Sequence, residues 1–96
     1  MFQVLPELYD EIAIRLREAF GDGGYYSGSV ECAVGEIVCR LTASLILYRC
    51  RDEWPEGRRF RLTDVVPVWW EFHTVTTEGE VPNDFSFTDL KPFLLV

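Results

Sequence analysis

No run of apolar residues in this chain approaches the ~20 needed for a membrane-spanning helix, and the sequence carries no signature of the common cofactor-dependent chemistries. A phosphate-cradling glycine loop, a dinucleotide glycine pattern, an HExxH helix, a GxSxG elbow and a calcium loop are all missing. The one glycine cluster, Gly21-Asp22-Gly23-Gly24, is followed neither by a Lys-Ser/Thr pair nor by a helical pattern, so it reads as a helix stop. Basic residues are also scarce. Nine Lys and Arg stand against sixteen Asp and Glu, for a net charge of −7. A surface of that sign repels phosphate, which disfavours generic nucleic-acid or anionic-membrane binding.

Cysteine is sparse and odd in number. Cys32, Cys39 and Cys50 suit reduced, partly buried thiols better than a disulfide framework. Their spacing, with a single distant histidine, matches no structural zinc pattern, so no metal and no cofactor is expected. The first seven residues lack a basic stretch followed by an apolar one and do not read as a secretory signal; the expectation is a cytoplasmic protein.

What is present is core-forming material. Hydrophobic residues make up 48% of the 96 and aromatics 15%, with seven Phe, four Tyr and three Trp, enough for one core without staples. A second folded unit would be smaller than most stable ones, so residues 1–96 are expected to form a single domain.

Leu5, Leu8, Tyr9, Ile12, Ala13, Leu16, Ala19 and Phe20 fall at the three-and-four spacing of one helical stripe, with Ile14 off it. Pro6 suits the first turn and Gly21 the end. From Tyr25 to Cys50 the period changes to two. Placing Gly35-Glu36 in a two-residue type II′ turn sets Val34 opposite Ile37, Cys32 opposite Cys39 and Val30 opposite Leu41, which gathers the apolar residues of both strands on one face, under the helix. The stretch from Arg51 to Gly57 reads as a connecting loop. β-character resumes by Phe60 or at latest Val65, and simple alternation puts Val66, Val68, Trp70 and Phe72 on one side and Val65, Trp69, Glu71 and His73 on the other. Pro67 cannot donate a ladder hydrogen bond and calls for an edge or a bulge. Glu78-Gly79-Glu80 turns the chain, and Ser86 with Asp89 suggests a capping box on a short last helix that Pro92 weakens. The expected fold is α+β: an N-terminal helix packed on an antiparallel sheet of three or four strands, with a short C-terminal helix.

Four groups could carry function. His73, the only histidine, shares a strand face with Glu71, a spacing at which a carboxylate can orient an imidazole, although a surface His beside a solvated Glu is the commoner arrangement. Cys32 and Cys39, direct neighbours in the hairpin, could bridge or bind metal, against the plainer reading of small buried thiols. Arg49, Arg51, Arg58, Arg59 and Arg61 fall within thirteen residues, an island able to grip a phosphate or carboxylate, or simply a solvated face whose members pair with carboxylates of the first helix or C-terminus. Trp69 and Trp70 must point to opposite sides, so at most one enters the helix-covered core and the other is covered by Phe85, Phe87 and Phe93 folding back, by a partner, or by nothing. Trp54, Arg58, Arg59, Trp69, Glu71 and His73 are therefore the candidate binding residues; no catalytic set emerges.

The segments Asp64-Val-Val-Pro-Val-Trp-Trp-Glu-Phe-His-Thr and Asn83-Asp-Phe-Ser-Phe-Thr-Asp-Leu-Lys-Pro-Phe-Leu resemble short uncharacterised proteins of gut Bacteroidales associated with mobile elements. The resemblance spans most of the chain. It implies a bacterial accessory or partner-binding role and supplies no catalytic residue. The expectation is a non-enzymatic interaction domain, with a protein partner or a second copy as its target. A small-molecule or metal site on the His73/Glu71 face is the alternative. An acidic decoy for a nucleic-acid-binding partner rests on net charge alone, and the arginine island interrupts it.

Overall fold

The computed structural model describes residues 1–54 and 57–95, with side chains described outside 51–60. Helix α1 (Pro6–Phe20) is followed by β1 (Tyr25–Val34), β2 (Ile37–Trp54), β3 (Gly57–Thr76), β4 (Gly79–Val81) and α2 (Phe87–Leu94). The strands form one antiparallel sheet in the order β1-β2-β3-β4. Both helices lie on the same side of it.

Helix α1 starts at Pro6, whose missing N–H costs nothing at that position. It ends at Gly21, which takes a φ of 60° that a side-chain-bearing residue resists. Leu8, Tyr9, Ile12, Ala13, Leu16 and Phe20 are buried, as the stripe requires, and Ile14 is exposed. Leu5 and Ala19 depart from expectation. Leu5 precedes the helix as its cap and is exposed, and Ala19 sits on the flank that overhangs the sheet edge and is exposed as well.

The first hairpin has the expected register, Cys32 opposite Cys39 and Val30 opposite Leu41. Gly35 carries a φ of 61° and Glu36 a negative one, the combination a type II′ turn demands. Gly28 lies opposite Ala43, and this small pair leaves room for the Tyr26 ring to lie along the strand and meet Phe20 edge-on at 5.3 Å.

The second hairpin is longer than expected. β2 continues through Arg51–Trp54 and β3 begins at Gly57, so the supposed loop is mostly strand. In this register Asp52 stands opposite Arg59 and Glu53 opposite Arg58.

β3 also corrects the facing of its own residues. Its pairing with β2 slips between Ser44/Leu45 and again between Tyr48/Arg49, leaving Val68 and Thr63 as extra residues in bulges. Pro67 sits beside the first bulge, as its missing N–H requires. The slip reverses the phase upstream, so Val65 joins Trp70, Phe72 and Thr74 on the helix side at 0% exposure, while Val68 is 62% exposed and Val66 pairs with Ile46 on the far face.

The core unites the α1 stripe with Cys32, Cys39, Leu41, Ala43, Leu45, Leu47, Val65 and Phe72 of the sheet and with Phe85, Phe87, Leu90 and Leu94. Burial of each Leu, Phe or Val side chain contributes about 1.5–3 kcal/mol. Phe85 is the hub of an aromatic stack, lying 4.2 Å from Phe72, 5.2 Å from Trp70 and 5.5 Å from Tyr9. The Tyr9 hydroxyl accepts from the Ser86 backbone N–H at 3.0 Å, fixing the entry to α2. Ser86 precedes α2 as expected, yet its side chain makes no capping bond; Asp89 N–H reaches the Ser86 carbonyl instead, and the expected capping box is absent. At the far end, the Phe2 N–H donates to Pro82 O at 2.7 Å and Val4 N–H to Asp84 Oδ1 at 2.7 Å, tying the N-terminal segment beside β4.

Candidate functional site: the uncovered face of the sheet

Among the described residues nothing packs over the side of the sheet opposite the helices. The strand registers order that face into rows running from β1 to β3. Tyr25, Ile46 and Val66 form one; Ser27, Ser44 and Trp69 the next; then Ser29, Thr42 and Glu71; then Glu31, Arg40 and His73; and last Ala33, Val38 and Val75, with Glu80 of β4 beside Val75. The face therefore grades from aromatic and aliphatic, through a hydroxyl band, to a charged cluster with an aliphatic margin.

The hydroxyl band is knitted across strands by Ser27 to Ser44 at 3.1 Å and Ser29 to Thr42 at 2.8 Å. In the charged cluster Arg40 grips Glu31 through Nε and Nη2, at 3.0 and 2.6 Å. His73 has a carboxylate on each ring nitrogen: Nε2 lies 3.2 Å from Glu71 and Nδ1 is bonded to Glu80. Those two carboxylates, Glu80 foremost, raise the imidazole pKa above its ordinary value and favour the doubly protonated ring. A metal would have to displace a proton and both contacts, and the described residues contain no group of three ligating side chains. Beside the cluster, Val38, Arg40, His73, Val75 and Glu80 line a shallow hollow.

Trp69 and Trp70 divide as alternation demands. Trp70 points to the helix side, and it is this tryptophan, not the one on the opposite face as expected, that Phe85 and Phe87 cover in part, because α2 packs on the same side as α1; Phe93 lies against Tyr9 at 6.1 Å. Trp69 points to the uncovered face and is 49% exposed, with Tyr25 and Tyr48 exposed on the same face. Large exposed aromatics on an otherwise polar sheet face are the residues that most often anchor an interface.

The structure thus brings together Trp69, Glu71 and His73 of the candidate set. Trp54, Arg58 and Arg59 have side chains outside those described, so that part of the set lies beyond the described residues. Of the arginine island, Arg51, Arg58 and Arg59 have side chains outside those described, while Arg49 donates to the carbonyls of Gly23 and Gly21, at 3.2 and 2.8 Å, closing the segment after α1. Cys32 and Cys39 are buried free thiols on the helix side. Burial pushes the Cys39 thiol up to about 11 and raises that of Cys32, which leaves both protonated and unreactive near neutrality.

Sequence reasoning missed Arg40 and Glu80. Arg40 becomes the neighbour of His73 only through the β2–β3 register, which two bulges obscure. Glu80 arrives through the short return of β4, whose signal was the Glu78-Gly79 pair read only as a turn.

No protein-family model matches the chain, and no curated protein or solved structure matches it. Among the described residues, no helix is long and apolar enough to cross a membrane.

Proposed function

We propose that this chain is a non-enzymatic interaction domain that docks an accessory partner protein on the uncovered sheet face, with Trp69 as the anchor. The observation that carries the reading is the position of Trp69: half exposed, beside a hydroxyl band, on the one face of the sheet that neither helix covers. A docked partner would bury its indole, while the acidic excess of Glu31, Glu71 and Glu80 over Arg40 favours a partner with basic residues around an apolar pocket. The fixed ladder of cross-strand hydrogen bonds presents that face with little entropy left to lose.

Affinity capture from the source cells with the wild-type chain and with Trp69→Ser tests it. The expected result is a stoichiometric partner retained by the wild type and lost by the variant, with both proteins melting cooperatively. Equal retention by both, or none by either, overturns the reading.

The hollow beside His73 supports a second reading, a small molecule or metal ion held on the His73/Glu71 strand face. Thermal-shift titration with small carboxylates and divalent cations addresses it: melting temperatures unmoved in wild type and His73→Ala alike would remove it.

A further inference from the structure

The two long edges of the sheet differ in a way that bears on what the chain associates with. Naturally monomeric sheets blunt their edges with bulges, prolines, inward charges or very short edge strands, because an unblunted edge pairs with any matching strand. The β3/β4 side carries several of these devices. Pro67 lacks a donor, bulges at Thr63 and Val68 break the ladder, β4 is only three residues long, and the Asn83 side chain caps the Phe72 carbonyl at 3.2 Å.

The β1 edge carries none of them. Its ten residues pair with β2 in unbroken register, without a proline or a bulge, and Glu31 is the only charged residue. Among the described residues no side chain or backbone group other than those of β2 bonds to the β1 backbone.

We infer that β1 is a self-association edge, pairing antiparallel with β1 of a second copy about a two-fold axis near Ser29, so that two four-stranded sheets become one of eight strands. This deepens the interaction reading, on which it rests to the extent that the chain works by association. It assigns a different surface from the Trp69 face.

The edge is complementary to itself. Facing residues of an antiparallel pair share a side of the sheet, so the axis must pass through a residue and cannot fall between two. With the axis at Gly28, Ser29 or Val30, Glu31 faces Tyr25, Ser27 or Ser29 of the second copy and never another Glu31. In each case half-buried Val30 is covered by Tyr26, Gly28 or Val30 of the mate.

The helix above repeats the pattern. Helix α1 lies against β1, and an open groove between them is lined by Arg15, Glu18, Ala19, Ser29, Val30 and Glu31. The same two-fold axis, perpendicular to the sheet, runs the two α1 helices antiparallel and sets Arg15 of one beside Glu18 of the other. Exposed Ala19 is the small residue that allows the helices to approach.

Mass measurement by light scattering across a concentration series, coupled to cysteine cross-linking, tests the inference. The wild type should approach twice its 11.1 kDa mass as concentration rises. In a Cys50→Ser background, Ser27→Cys, Ser29→Cys and Glu31→Cys are oxidised singly and as mixed pairs. With the axis at Ser29, Ser29→Cys alone and the mixed pair Ser27→Cys with Glu31→Cys should form the interchain disulfide at least about tenfold faster than the other combinations, whereas an axis at Gly28 selects the Ser27/Ser29 pair and one at Val30 the Ser29/Glu31 pair, since residues two places out of register lie beyond disulfide reach. Ser29→Pro gives β1 the donor-less edge residue that β3 already carries and should weaken dimerisation at least about tenfold in any of the three registers while still melting cooperatively. Glu18→Arg should weaken the dimer, and adding Arg15→Glu should restore it.

A wild type that stays at 11.1 kDa throughout overturns the edge inference and leaves the Trp69 reading to its own capture test. A dimer abolished by Trp69→Ser but indifferent to Ser29→Pro also overturns it, and places the second copy on the sheet face instead. A dimer lost with Ser29→Pro and kept in Trp69→Ser supports the inference whatever the capture experiment returns.

Discussion

Val65 and Val68 sit three residues apart on one strand, and replacing each with alanine distinguishes a bulged β3 from a regular one. Uninterrupted alternation puts Val68 with Phe72 against the core and Val65 on the opposite face. The bulge reverses this, leaving Val65 at 0% exposure opposite Leu47 and Val68 at 62%. Val65→Ala removes two buried carbon atoms, worth about 0.8 kcal/mol each in transfer free energy, and leaves a cavity that closes incompletely, for a total of about 2–3 kcal/mol. For a chain of this size each kcal/mol moves the melting temperature by about 4–8 °C, so the loss should be about 8–24 °C. Val68→Ala removes the same atoms from a site already largely hydrated and should cost no more than about 0.5 kcal/mol. Thermal melts followed by circular dichroism, with urea titrations to confirm an unchanged m-value, give both numbers. If Val68→Ala destabilises as much as or more than Val65→Ala, the bulge is misplaced, and with it the assignment of Val65 to the core, whereas Trp69 keeps the uncovered face under either register.

Three further outcomes follow from specific contacts. Tyr9→Phe removes the acceptor of the Ser86 N–H while keeping the ring between Phe85 and Phe93, so it should lower stability by about 1 kcal/mol, read by urea titration. His73 has a folded-state pKa raised by Glu80 and Glu71 above the ordinary 6.5, so its stabilising contribution is complete below that value and fades as pH rises through the folded-state one. The melting-temperature gap between wild type and His73→Gln should accordingly shrink as pH rises from about 6 to about 9, and a widening gap would contradict the paired imidazolium. Ellman's reagent near neutral pH should label Cys50 in the native protein and all three cysteines once it is unfolded, because Cys32 and Cys39 are buried with raised pKa values.

Much of the architecture was legible because two independent signals agreed over the first half of the chain. The apolar period of α1 and its Pro6 and Gly21 ends point to one helix. The Gly35-Glu36 turn and the alternation of Cys32, Cys39, Leu41 and Leu45 point to one register. Downstream the signals separate. An alternation rule has no way to insert an extra residue, so the bulge at Val68 inverted the facing of Val65 and Val66 even though Pro67 had flagged an irregularity. The stretch Arg51–Gly57 looked like a loop because Pro, Gly and charge are loop-formers locally; the facing of Asp52 with Arg59 and of Glu53 with Arg58 is a long-range property of the register, invisible in a local window. The site divides the same way. Trp69, Glu71 and His73 share a face by local alternation and could be grouped from sequence, whereas Arg40 and Glu80 reach His73 only through pairings between strands.

The placement of the two proposed surfaces makes them compatible. Trp69 projects from β3 and Ser29 from β1, with β2 between them, so they stand two strand spacings apart, about 10 Å across the sheet. The Trp69 anchor also points perpendicular to the sheet, whereas the β1 edge bonds within its plane. A second copy joined at β1 would therefore extend the uncovered face instead of hiding it, placing a second Trp69 on the same continuous surface. Two weak sites joined rigidly on one partner gain through effective concentration what neither has in contacts. Edge pairing and face docking thus reinforce one another, and a partner that binds the dimer should release the Ser29→Pro variant faster even though Trp69 and its neighbours Ser27 and Ser44 are unchanged.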